Sequence, residues 1–372
     1  MEKYFDLNTT PRILLGPGPS TVHPRVLRAM AHPLVGHLDP QFIHLMNEVQ
    51  DLLRFVFETD NRITFPISGT GSAGMDAAIC NFVELADPVL ICVNGYFGER
   101  MCEMASRYGA DVTRIDRPWG SIFSPDDIRE ALMVKPAKVV MIVNAETSTG
   151  VLQPLEEIAK IVHQYGGLFL VDCVTSLGGM PVRIDEIGMD IAYSGTQKCL
   201  GCPPGLAPIT INPRAIDVLH KRKSKVTSWY FDITAIEHYW GSERTYHHTA
   251  PISMNYALRE SLRMVYEEGL EARFKRHCEN AEFFWHGLQE IGLEPVVAYE
   301  YRLPSVTTIK VPDGVDASRV CNQLLSEYNI EIAGGLGEFK GKVWRVGLMG
   351  YSSSKENIVL LLAALDRILY RN

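Results

Sequence analysis

Between residues 63 and 211 two hydrophobic periodicities alternate along the chain. Short apolar runs recur: "RITFPI", "PVLICV", "DVTRID", "KVVMIV", "LFLVD", "DIAYSG" and "LAPITI". Several are β-branched and lack polar alternation, as expected of strands buried on both faces. Helical spacing fills the gaps. After Gly74, the residues Met75, Ala78, Ile79 and Phe82 follow an i, i+3, i+4, i+7 pattern. "PLEEIAKIVHQYGG" opens on a proline and stops at glycines. This alternation predicts an α/β layer with a mostly parallel, seven-stranded sheet flanked by helices.

From about residue 252 the pattern changes. A long helical stretch, 253–291, leads into "SVTTIKV", a helix near 316–328, "IEIAGG", "KVWRVGL" and a last helix. The last helix carries an apolar stripe of Ile358, Leu361, Leu362, Leu365 and Leu369, and Ser353 and Glu356 have capping-box spacing. These elements predict a smaller C-terminal α+β domain. The expected division is an N-terminal arm (1–20), a large domain (21–265) and a small domain (266–372). The large–small boundary falls between 250 and 285, and the arm is free to pack on either domain.

Composition narrows the function classes. A hydrophobic fraction of 46% with 22% charged residues fits a soluble globular protein. Lys and Arg total 36 against 44 Asp and Glu, a net charge of −8. That balance argues against nucleic-acid or anionic-membrane partners, which need positive charge. The longest apolar run, Ile358 to Leu365, is far short of the ~18 residues that span a bilayer. "MEKYFDLNTT" does not read as a secretory signal, and "LYRN" is neither a peroxisomal signal nor a prenylation box. Cysteines are scattered at 80, 92, 102, 173, 199, 202, 278 and 321. They form no disulfide framework and predict a reducing, cytoplasmic setting.

Three stretches carry chemistry. "SGTGSAG" contains G-x-G-x-x-G at Gly69, Gly71 and Gly74, after a strand and at the start of a helix. Such a turn holds phosphate on helix N-terminal N–H groups, or is simply a glycine turn. A dinucleotide fold also needs an acid at the end of the next strand, where this chain has Asn94-Gly95. "LFLVDCV" ends a buried strand on Asp172, either a turn aspartate or a carboxylate at the sheet's ligand-binding edge. "DIAYSGTQK" ends another strand and reaches Lys198. A lone lysine is normally a solvated surface residue. A phosphate cup, an acid and a lysine together are what pyridoxal phosphate requires. The lysine amine condenses with its aldehyde, and a carboxylate keeps its ring nitrogen protonated.

Seven stretches together resemble the class V aminotransferases of fold-type I, close to the alanine–glyoxylate and serine–pyruvate group. They are "LLGPGPSTVHPRVL", "SGTGSAGMDAAI", "NGYFGER", "NAETSTGVLQPL", the run from "LFLVD" to "CPPGL", "TYHHTAPISMNYALRESL", and "IEIAGGLG" with "KVWRVGLMG". The resemblance implies pyridoxal 5′-phosphate as cofactor. Lys198 would bind it covalently and move the substrate proton, while Asp172 would pair with its ring nitrogen. Phe97 would stack on the ring and Val174 would pack on the other face. Gly71, Ser72 and Gln197 would hold the phosphate, and Thr147 would lie near the phenolic oxygen. Tyr246 and Thr249 would reach the phosphate of a partner subunit, which implies a homodimer. Arg345 would clamp the substrate carboxylate, and Gly16 and Gly18 would let the backbone approach the substrate. Two positions depart from the family pattern. Ser72 stands where many relatives have histidine, and Phe97 where some have tryptophan; both bear on cofactor affinity.

Other features have plainer readings. Cys199 and Cys202 form C-x-x-C, but no second pair or histidine set completes a zinc site, so no metal is expected. His247 and His248 are adjacent and would face opposite sides of a strand. Arg345 alternates with apolar neighbours, either as the clamp or as a sheet-edge arginine facing solvent. "KRKSK", 221–225, reads as a solvated loop beside a dimer interface. Cysteine desulfurases of the same class carry histidine before the lysine, whereas this chain has Gln197. The expected reaction is therefore transamination between a small amino acid (alanine or serine) and a small 2-oxo acid (glyoxylate or pyruvate). The alternatives are another donor, such as ureidoglycine, aminoethylphosphonate or aspartate, or a nicotinamide-binding dehydrogenase.

Overall fold

Seven strands build the main sheet, one from each of the seven apolar runs. The computed structural model describes residues 7–370. The first six residues of the expected arm and the last two of "LYRN" lie outside the described residues. In chain order the strands are β1 (Ile63–Ser68), β2 (Pro88–Val93), β3 (Asp111–Asp116), β4 (Val139–Val143), β5 (Leu168–Asp172), β6 (Ile191–Tyr193) and β7 (Leu206–Ile211). Their spatial order is β1-β7-β6-β5-β4-β2-β3. Only β7 runs antiparallel to its neighbours, β1 and β6; the other pairs are parallel. Strands β4 and β5 are buried at every residue, which explains their unbroken apolar sequences. At the edge, β3 mixes exposed and half-buried positions, with no fully buried residue.

The helix after β1 spans Gly71–Phe82 and, as expected, opens within the glycine loop. Its first turn is glycine, serine and alanine, so the apolar stripe starts only at Met75. Gly69, with φ +149°, makes the turn from strand to helix. A Cβ on Gly74 would lie 3.0 Å from Ala207 Cβ and 3.3 Å from Tyr193 Cβ. Glycine there lets the helix sit close on β6 and β7.

The C-terminal part packs around a different core. One apolar cluster runs from Val26 to Val265, and another from Ala281 to Ile368 also takes in Leu15. The predicted long helical stretch is two helices, Ile252–Glu268 and Leu270–Glu290, broken at Gly269 with φ +78°. Val343–Gly347 is the central strand of a three-stranded antiparallel sheet, between Val306–Lys310 and Ala333–Gly334. "IEIAGG" divides in two. Ala333–Gly334 joins that sheet, and Ile330–Glu331 pairs in parallel with Ile13–Leu14 of the arm. Ile13–Leu14 of the arm thus packs on the C-terminal part, and the residues after it reach the lysine loop, where Ser20 N–H donates to the Gln197 carbonyl at 3.0 Å.

Three local expectations are corrected. The last helix, Lys355–Tyr370, is capped by Ser354, whose Oγ accepts from Asn357 N–H at 3.3 Å. Ser353 is occupied elsewhere: its Oγ and carbonyl accept from Asn280 Nδ2, and its carbonyl also accepts from Arg276. His247 and His248 lie in a loop rather than a strand, and their Nδ1 atoms meet at 2.8 Å. Arg222 in the basic run is half-buried and donates to the carbonyls of Asn81 and Val83, so that run is not uniformly solvated.

Candidate active site

Asp172 ends β5 in the middle of the main sheet and is 2% exposed. Its Oδ1 accepts from Val174 N–H at 2.8 Å and its Oδ2 from the Tyr193 hydroxyl at 2.8 Å. Tyr193 is its register partner on β6. Burial pushes the carboxyl up to about 6, against those two hydrogen bonds and the charges of Lys198 and Arg100.

Lys198 sits in the loop between β6 and β7 and is also buried. Its Nζ donates to the Pro17 carbonyl, and its own carbonyl accepts from Ser20 Oγ at 2.9 Å. Burial, and then the charge of Arg345, bring its amine down to about 8. About a tenth of it is therefore neutral, and nucleophilic, at pH 7, far more than for an exposed lysine.

The glycine turn, Val174 and Gln197 come together beside this pair. A Cβ on Gly71 would touch Val174 Cγ2 at 3.4 Å and Gly195 Cα at 3.6 Å. A Cβ on Gly195 would lie 2.9 Å from Gln197 Oε1. The helix that starts at Gly71 has no side-chain cap on its first turn. Its leading N–H groups are thus available to an anion. Gln197 Oε1 is buried without a hydrogen-bond partner among the described residues. An amide flip would turn Nε2 into that space. An uncapped helix start, an orphaned amide and a buried lysine with a buried carboxylate fit pyridoxal phosphate: anion site, amine and ring-nitrogen partner.

The aromatic and the hydroxyl come from neighbouring strand ends. Phe97 lies in the first turn of helix Tyr96–Arg107, after β2, and is half-buried. Its N–H donates to Glu146 Oε2 at 3.2 Å. Thr147 follows β4; its Oγ1 hydrogen-bonds Thr175 Oγ1, and its carbonyl accepts from Arg345 Nη1 at 3.3 Å. Arg345 is 6% exposed on a central strand, so the edge-arginine alternative is excluded. Its Nε donates to the Gly334 carbonyl at 2.9 Å. Burial lowers it to about 10, opposed by Glu146, so it stays protonated at neutral pH. Gly16 is held against the arginine strand, because a Cβ on Gly347 would collide with the Gly16 carbonyl.

The structure leaves two expected residues outside this cluster. Tyr246 and Thr249 are exposed, and Tyr246 packs against the His37 ring at 5.0 Å. It also shows residues that sequence patterns left unassigned. Tyr193 bonds Asp172, Pro17 accepts from Lys198, and Arg100 reaches Ser72. Glu146 is fully buried, accepts from Ser148 and Phe97, and is raised by burial to about 7. Their only sequence signal was a place inside "GPGPS", "NGYFGER", "NAETSTG" or "DIAYSG". Cys199 and Cys202 are buried free thiols. Among the described residues no cluster of three His, Cys, Asp or Glu side chains is placed to hold a metal ion. No described helix is long and apolar enough to cross a membrane.

Known proteins share this whole architecture. A model of the aminotransferase class-V family matches residues 14–356. The crystal structure of an alanine–glyoxylate aminotransferase from Nostoc sp. superposes with a TM-score of 0.98 at 52% identity, covering 99% of this chain and 98% of that one. The (S)-ureidoglycine–glyoxylate transaminase of Bacillus subtilis is 43% identical over 99% of this chain and 92% of its own length. The alanine–glyoxylate aminotransferase of Drosophila melanogaster is 41% identical over 95% of this chain and 91% of its own length. The dinucleotide alternative gives way to these matches. With the family matched over most of its length, the chain belongs to the class V aminotransferases: it is a fold-type I transaminase whose cofactor is pyridoxal 5′-phosphate.

Proposed function

We propose that the protein transfers the amino group of a small amino acid, alanine or serine, to a small 2-oxo acid, glyoxylate or pyruvate, in a ping-pong cycle. One observation carries this reading: a buried arginine, Arg345, donates to the Thr147 carbonyl and stands near enough to the buried Lys198 for its charge to lower that amine. An arginine fork there suits the carboxylate that amino acids and 2-oxo acids share. The names of the Nostoc and Drosophila relatives supply the donor and acceptor.

When bound, the cofactor supplies an aldehyde that condenses with amines and a ring that takes up electrons as the substrate's Cα–H bond breaks. Lys198 holds it and carries the proton at Cα. Asp172, oriented by Tyr193 and Val174 N–H, keeps the ring nitrogen protonated. Phe97 and Val174 would pack against the cofactor's ring, and Thr147 would supply a hydroxyl to its phenolic oxygen. Gly71, Ser72 and Gln197 hold the phosphate. Gly16 and Gly18 line the substrate side of Lys198. Tyr246 and Thr249, exposed on one chain, complete the phosphate site of a second copy in a homodimer. The apolar clusters of 26–265 and 281–368 correspond in this scheme to a large and a small domain, with the site where they meet. The scattered free cysteines support a cytoplasmic setting.

A second reading keeps glyoxylate and takes ureidoglycine as donor; the 43% identical Bacillus relative favours it. A half-reaction panel separates the two. Purified holoenzyme is mixed with each amino donor, and loss of the visible band of the lysine-bound cofactor is followed. Alanine or serine should discharge the band with a kcat/KM at least about tenfold above ureidoglycine. The reverse order would favour the second reading.

A further inference from the structure

Arg100 lies one helical turn beyond Phe97, on the same side of helix Tyr96–Arg107. Its guanidinium carbon is 4.8 Å from the Phe97 ring centroid and 5.3 Å from that of Tyr96. Its Nη1 donates to Ser72 Oγ at 2.8 Å. Ser72 is the second residue of the helix that starts, uncapped, at Gly71. The arginine is half-buried and makes no ion pair with any described residue. A guanidinium has five N–H donors, and Ser72 is the one described acceptor that meets any of them. Its charge also acts on Asp172 and on Tyr193, so its field reaches the centre of the site. A partly desolvated cation without a counter-charge is costly unless an anion binds beside it.

Polarity at Ser72 points the same way. Its oxygen accepts from Arg100, which leaves its own O–H free to donate to a third group. The uncapped N–H groups of Gly71 and Ser72, the Ser72 O–H and the spare Arg100 donors are all donors, with no acceptor among them. We infer that Arg100 is a binding residue for the cofactor's phosphate, supplying the positive charge that the neutral donors of the glycine turn lack. This rests on the reading that residues 69–72 hold the phosphate. It also joins the two positions that depart from the family pattern, since one arginine touches both Ser72 and Phe97. The competing role is a strut, in which Arg100 merely ties helix Gly71–Phe82 to helix Tyr96–Arg107.

The test compares ligands with and without phosphate on the apo protein. Equilibrium affinity is measured for pyridoxal phosphate and for pyridoxal, and inorganic phosphate is titrated as a competitor. In the wild type, pyridoxal phosphate should bind far more tightly than pyridoxal. Arg100→Gln should weaken pyridoxal phosphate about 10- to 100-fold and leave pyridoxal nearly unchanged. Competition by inorganic phosphate should weaken in parallel, and Arg100→Lys should recover part of the loss. Ser72→Ala removes the strut contact but keeps the charge, so its effect should be smaller than that of Arg100→Gln. An equal loss for both ligands in Arg100→Gln, or equal effects of Ser72→Ala and Arg100→Gln, would establish the strut and overturn the proposal. Wild-type discrimination that survives intact in Arg100→Gln overturns it too, while leaving the phosphate turn in place. A wild type that binds both ligands equally overturns the turn reading together with it.

Discussion

Gly18 and Lys198 fill each other's space. A Cβ on Gly18 would lie 2.7 Å from both Cδ and Nζ of the lysine and 2.9 Å from Cε. Gly18 also has φ +111°, which a side chain rarely adopts. Gly18→Ala should therefore displace the lysine, strain the arm, and cut cofactor incorporation by about tenfold or more. Absorbance of the purified variant after incubation with cofactor measures this. Full incorporation at the wild-type rate would show that the lysine reaches its working position without this contact.

Arg345 acts on Lys198 through charge. The lysine amine must be neutral to condense with an aldehyde, and the arginine helps bring it down to about 8. Cofactor uptake by the apo protein should rise with pH through about 8 and level off above it. Arg345→Ala removes a neighbouring positive charge, so the amine titrates higher and the rise should move to higher pH. The same variant should raise KM for alanine and for glyoxylate by about 10- to 100-fold. An unchanged KM for alanine would rule out the carboxylate clamp.

The sheet was legible in the sequence because its central strands are buried on both faces, a burial that demands unbroken apolar runs such as "VVMIV" and "LFLVD". Asp172 and Lys198 were legible for a related reason: Asp172 is the polar last residue of such a run, and Lys198 lies in the loop that follows another. The arm was not. Ile13–Leu14 is a two-residue strand whose partner, Ile330–Glu331, is remote in sequence, so no periodicity marks it. Nor could spacing show that Gly18 meets Lys198. The helix start inside the glycine loop was marked by the glycines alone, because the small residues of its first turn make no apolar stripe. Three consecutive serines, 352–354, left the last cap ambiguous, and tertiary bonds from Asn280 and Arg276 decided it. Arg100 and Glu146 are polar residues whose partners come from other elements, so only the assembled chain reveals what they touch.

Asp172 is held by two donors, and its charge should matter more to turnover than the Tyr193 donor does. Asp172→Asn removes the negative charge that keeps the ring nitrogen protonated. It should lower kcat by about 10²–10⁴-fold while some cofactor still binds. Tyr193→Phe keeps the carboxylate and the Val174 N–H bond, losing only the hydroxyl at 2.8 Å. Its loss should be about tenfold or less. Steady-state kinetics on both variants at saturating cofactor decides the matter. Near-normal turnover of Asp172→Asn would refute the assigned role.

His277 offers a stability test away from the reacting atoms. It is fully buried; its Nδ1 donates to the Arg273 carbonyl at 2.8 Å, and its Nε2 accepts from Gly350 N–H at 3.0 Å. That pattern requires the neutral imidazole, because a proton on Nε2 would face another N–H. Burial, then the charges of Arg273 and Arg276, lower its pKa from 6.5 to about 3, with Glu268 opposing. Between those values the unfolded chain binds the proton and the folded chain does not. The stability that depends on neutral His277 is therefore present above pH 6.5 and is lost as pH falls from 6.5 toward about 3. The slope from this one group approaches about 1.4 kcal/mol per pH unit inside the window. His277→Gln can keep both hydrogen bonds, with Nε2 donating to Arg273 and Oε1 accepting from Gly350, but it cannot titrate. Urea unfolding of the apo protein at several pH values from about 7 to about 5 should show a shallower acid loss in the variant than in the wild type. Parallel curves would mean that His277 is not held neutral in the folded chain.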